Sequence, residues 1–127
     1  MPGQYFSNRI RYKDFTVEVY NLDTNFMDAF PPGGDPNHNI CQGGADCWGL
    51  NVNTCVHHFQ DAWAKSLDML EDRLRNSTAE WRIVNTHFPG YGVAHQPRLK
   101  ELHTKYGFDL LFTGHAHIQQ IGEVVSS

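Results

Sequence analysis

The chain predicts an α/β layered architecture with at least some parallel strand pairing. Three observations predict it. The element order along the 127 residues reads β-loop-α-β-α-β-β. One long helix carries a single apolar stripe. Two strands run into histidine-bearing turns, Val84-Asn85-Thr86-His87 and Gly114-His115-Ala116-His117. Ligands of α/β sheets collect outside the carboxyl ends of the strands. Strand ends that carry imidazoles therefore point to a metal site.

Each element has its own justification. Phe15-Thr16-Val17-Glu18-Val19-Tyr20 alternates and reads as a strand. Asn21-Leu22-Asp23-Thr24-Asn25 ends it. Residues 26–53 form a long irregular segment, rich in Cys, Gly and Pro, with Pro31-Pro32-Gly33-Gly34-Asp35-Pro36 near its start. A loop of this length in a compact domain is usually functional or an insertion. A helix follows, in which Val56, Phe59, Trp63, Leu67, Leu70 and Leu74 step by threes and fours. Thr54 is its expected N-cap, and Asn76-Ser77-Thr78 breaks it. A strand over residues 81–86 comes next, then the Pro/Gly loop Phe88-Pro89-Gly90-Tyr91-Gly92. A shorter helix is expected over about 97–106, with Leu99 and Leu102 inward and Gly107 at its C′ position. A buried strand over 109–113 leads into the Gly-His-Ala-His turn, and 118–125 reads as one more strand.

Composition narrows the function classes. The formal charge of -4 is mild and spread out, with no basic stripe, so nucleic acid is not an expected partner. No apolar run approaches the length needed to cross a bilayer. Met1-Pro2-Gly3-Gln4-Tyr5 has neither the charged nor the apolar region of a signal peptide. Eight histidines in so short a chain raise the prior for metal chemistry. Cys41, Cys47 and Cys55 lack CxxC spacing, so a disulfide that leaves one thiol over is a better reading than a zinc knuckle. Asn76-Ser77-Thr78 matches the N-glycosylation acceptor pattern. Cysteines and sequon together favour a secreted or vacuolar protein.

The two histidine motifs, in this order and spacing, resemble those of the calcineurin-like metallophosphoesterases, in particular the purple (tartrate-resistant type) acid phosphatases. That family carries VxxH on one strand end and GHxH on a later one. Tyr106-Gly107-Phe108-Asp109-Leu110-Leu111, Tyr20-Asn21-Leu22-Asp23-Thr24 and the helical Gln60-Asp61-Ala62-Trp63 are similar to family segments as well. The family's GDxG-like, GDxxY and GNH[DE] motifs are absent. Met1-Pro2-Gly3-Gln4-Tyr5-Phe6 resembles an internal segment that follows GNH[DE]. The resemblance thus implies a partial metallophosphoesterase sandwich, the C-terminal half of a four-layer α-β-β-α fold. On this reading residues 1–127 are a single incomplete domain, completed by a missing N-terminal half or by self-association.

The resemblance also implies roles. His87 and His115 would bind one metal and His117 the other. The ions would be dinuclear iron, or iron with zinc or manganese, all suited to neutral imidazole. Two ions about 3.5–4 Å apart would clamp a phosphate monoester and activate a water for in-line attack. His95 resembles the outer-sphere histidine that contacts phosphate and protonates the leaving group. Asp23 would be structural, at a strand-loop junction. The other histidines read as ordinary: His57 and His58 are adjacent on a helix and do not face one another, His38 lies in the loop and His103 on a helix. Trp63 reads as core, Trp81 as packing and Tyr91 as a loop aromatic. The leading expectation is a metal-dependent acid phosphatase. The alternatives are a catalytically inactive pseudophosphatase or interaction module on the same scaffold, and a histidine-rich metal-sequestering protein.

Overall fold

A computed structural model of the chain describes residues 3–31, 33–35, 37–42, 51–88 and 96–122. Its centre is a four-stranded sheet in the order β1-β2-β3-β4. Here β1 is Phe6–Arg11, β2 Thr16–Asn21, β3 Trp81–Asn85 and β4 Leu110–Phe112. Two helices, α1 (Val52–Asn76) and α2 (Pro97–Tyr106), connect the later strands. β1 and β2 are antiparallel, whereas β2–β3 and β3–β4 are parallel. This is a mixed α/β fold, with the parallel pairing that the sequence predicts.

Sequence patterning explains most of it. Most of the expected stripe of α1 is buried: Trp63, Leu67, Leu70 and Leu74 meet Tyr20, Val84, Leu99, Leu102 and Phe108 in the main core, and Phe59 is buried beside it. Trp63 also stacks on Phe26, ring centroids 5.0 Å apart. α2 opens on Pro97, whose fixed φ suits a first helical turn. It closes at Gly107, whose φ is 70° and whose N–H donates to the His103 carbonyl at 2.8 Å. One helix start differs from expectation. α1 begins earlier, and Asn51 caps it: the Asn51 Oδ1 accepts from the Thr54 N–H at 3.0 Å. Asparagine is as good a cap as threonine or better, and taking it adds a turn.

Three further expectations are corrected. β1 was hidden in a polar stretch, Phe6-Ser7-Asn8-Arg9-Ile10-Arg11. It forms because it is an edge strand, and its face is set by pairing with β2. Residues 118–122 are irregular and not strand, while 123–125 lie outside the described residues. The strand before the Gly-His-Ala-His turn is not buried, since Leu110 and Phe112 are exposed. β4 lies at a sheet edge, and the helices cover only one face.

Among the described residues, the other face is largely uncovered. The register puts Ile10, Val17 and Trp81 in one row, then Val19, Ile83 and Leu110 in the next. Trp81 is 48% exposed and Phe112 56%, so Trp81 does not pack as expected. On the covered face, Glu18 and Tyr20 point inward together. The Glu18 carboxylate accepts from Arg9 Nε and from Tyr20 Oη, each at 2.6 Å. Burial raises the Glu18 pKa, but hydrogen bonds from Ser77, Tyr20 and Arg9 outweigh it and hold the carboxyl below its ordinary range. Burial pushes the Tyr20 phenol up.

The long loop is stapled by a Cys41–Cys55 disulfide, with Cα atoms 5.7 Å apart, which ties it to α1. Both cysteines are buried with Ala29 and Phe59 in a second small core. The sequence left the pairing open, and Cys47 lies outside the described residues. Among the described residues no helix is long and apolar enough to cross a membrane.

Candidate metal centre

The parallel register of β3 and β4 assembles the site. Asn85 is paired with Phe112. Beyond that pair the ladder continues: the Thr86 N–H donates to the Phe112 carbonyl and the Gly114 N–H to the His87 carbonyl, each at 2.9 Å. Two residues past one strand end and three past the other, His87 and His115 therefore stand side by side. Their Nε2 and Nδ1 atoms are 3.3 Å apart. The rings are nearly perpendicular, with centroids 5.2 Å apart.

Phe88 supports both rings. It is buried, with its ring centroid 4.6 Å from that of His115 and 5.0 Å from that of His87. Thr24 sets the His87 backbone: its Oγ1 accepts from the N–H groups of His87 and Phe88 at 3.3 and 3.5 Å. Gly114 closes against His87. A Cβ there would meet the His87 Nδ1 at 3.6 Å, ordinary contact distance. The turn itself is unusual, because His115 and His117 have φ of 67° and 53°. Such residues are uncommon outside glycine, though histidine is among the more tolerant types.

The spacing of the pair is the one a shared cation would require. Imidazole nitrogens bind zinc at about 2.0–2.1 Å, so two of them on one tetrahedral ion stand about 3.3 Å apart. The observed separation is 3.3 Å, a distance at which the two rings also hydrogen-bond to one another. His117 is not brought into this pair. It is exposed, two residues beyond His115 in a turn. Among the described residues no group of three or more His, Cys, Asp or Glu side chains is arranged to hold a metal ion. His95 and Tyr91 lie outside the described residues.

The remaining histidines divide. His57 is exposed, His58 is half-buried and 3.2 Å from Gln4 Nε2, and His103 packs edge-on to Phe108 at 4.6 Å. Ordinary roles suit all three. His38 differs: its ring lies 5.7 Å from that of His115. Nothing in the spacing of the loop marked it. Phe88 and Thr24 were missed as supports, although each sits next to a residue of a quoted motif. Asp23 behaves as a junction residue. Its Oδ1 accepts from the Asn25 N–H at 2.8 Å, and burial raises its pKa against that hydrogen bond.

A model of the calcineurin-like phosphoesterase family matches residues 3–119. The chain belongs to that family. Its members are metal-dependent hydrolases of phosphoesters, generally with two metals. No curated protein matches the chain. The matched span of this phosphoesterase includes every described element and both histidine turns.

Proposed function

We propose that this phosphoesterase hydrolyses phosphate monoesters in the manner of the purple acid phosphatases, and that His87 and His115 hold a shared metal ion. The observation that carries the reading is the 3.3 Å approach of two imidazole nitrogens at neighbouring parallel strand ends. An iron, zinc or manganese ion there would supply positive charge against the phosphate oxygens and acidify a water. The chain's own residues do the positioning. Phe88 packs against both rings, and Thr24 fixes the backbone that carries His87. His117 is proposed to face a second ion, and His95 to protonate the leaving alcohol. The exposed position of Asn76 at the end of α1 and the Cys41–Cys55 bridge support a secreted or vacuolar setting.

The test is hydrolysis of p-nitrophenyl phosphate and of bis-p-nitrophenyl phosphate by the chain, with added iron, zinc or manganese. Metal-dependent turnover that favours the monoester and is lost in His87→Ala and His115→Ala is expected. Turnover is expected to be slow, because the described residues bring no carboxylate to the imidazole pair. Preference for the diester, or turnover untouched by either substitution, would sink the reading. Metal binding without turnover would favour the inactive-scaffold alternative.

A further inference from the structure

The stapled loop is built to present one side chain, His38, to the imidazole pair. Its backbone is pinned on both sides of that residue. The Asp35 Oδ1 accepts from the N–H groups of Asn37 and His38 at 2.8 and 3.3 Å. The Asn39 Oδ1 accepts from the N–H groups of Phe30 and Cys41 at 3.2 and 2.9 Å. The Ile40 N–H donates to the Asp28 carbonyl at 2.9 Å. Cys41 then anchors the chain to α1. The His38 ring stands edge-on to His115, at 68°, with centroids 5.7 Å apart. Its Nδ1 is 3.9 Å from the Asp28 Oδ2. The side chain is 58% exposed, so it borders the imidazole pair without being packed away.

We propose that His38 binds the phosphoryl oxygens of a phosphate ester held at the His87–His115 centre, which makes the disulfide-tied loop a substrate-binding element. The inference rests on the metal-centre reading above. Its chemistry is short-range: an imidazole at the rim of a cation site donates a hydrogen bond to an anionic oxygen, the stronger class of hydrogen bond. At 5.7 Å between ring centres, a phosphate oxygen bound beside His115 falls within reach of the His38 ring. The loop supplies a further polar group beside the imidazole pair.

Two measurements on the full chain separate this proposal from the one beneath it. Cobalt(II) is titrated and followed by its visible spectrum. Inorganic phosphate is then titrated calorimetrically into the cobalt-loaded protein. His38→Ala and His38→Asn are expected to take up cobalt as the parent does and to bind phosphate roughly fivefold to tenfold more weakly, the loss of one charge-assisted hydrogen bond. Unchanged phosphate affinity in both variants overturns the proposal and leaves the metal centre standing. Impaired cobalt uptake in both also overturns it, because His38 would then be a metal ligand. A parent chain that takes up no cobalt removes the metal centre and this inference together.

Discussion

The Nε2 of His87 and the Nδ1 of His115 approach to 3.3 Å across 28 residues of sequence. The contact follows from the register of two short parallel strands and from one added step of the ladder, Gly114 N–H to His87 carbonyl at 2.9 Å. If the pair shares an ion, the two substitutions are not independent. His87→Ala, His115→Ala and the double variant should each lower zinc or cobalt affinity by a similar large factor, well short of additive. His117→Ala should have a smaller effect. Isothermal titration of the four proteins gives the coupling, and additive losses would mean the rings do not meet on one ion.

Glu18 makes stability pH-dependent. Its folded pKa lies below the ordinary glutamate value. A depressed pKa contributes stability that is present above the unfolded value and is lost as pH falls through the folded one. Denaturant midpoints should therefore decline through the acid carboxylate range. Glu18→Gln should flatten that decline and cost roughly 1–3 kcal/mol at neutral pH, since Arg9 and Tyr20 lose a charged acceptor. Urea titrations of both proteins from pH 3 to pH 7 provide the check.

The Cys41–Cys55 bridge spans a sequence separation of 14. Closing a loop of that size is worth about 3 kcal/mol in the chain-entropy account. The Cys41→Ser, Cys55→Ser double variant should lose about that much in denaturant unfolding. Mild reductant should shift the parent towards the variant and leave the variant itself where it was.

The uncovered sheet face carries Trp81, Leu110 and Phe112, all well exposed. An apolar surface of this kind is an association liability. The parent should self-associate at micromolar concentration in sedimentation velocity. Replacing Trp81 and Phe112 by lysine should return it to a monomer with its helical circular dichroism intact. A parent that stays monomeric at high concentration would mean that this face is satisfied in some other way.

Helices were the most legible part of the chain. The stripe from Phe59 to Leu74 has one period and one interpretation, and burial follows from it. Strand β1 was not legible, because Arg9 and Arg11 mask an edge strand whose only cue is its partner. The exposure of β4 was likewise invisible, since Leu110-Leu111-Phe112 spells a buried strand wherever it stands. Which face is covered depends on elements packed across the sheet.

The site divides in the same way. Residue type and strand-end position were enough to nominate His87, His115 and His117, because both motifs are local and each ends a strand. Only the tertiary structure decided that two of them meet and that the third stands apart. That outcome is set by strand register and by the left-handed turn at residues 115 and 117, which no local pattern encodes. His38 entered the picture for the same reason. Its place beside His115 depends on a loop folded back by Asp35, Asn39 and a disulfide, contacts that exist only once the chain has closed on itself.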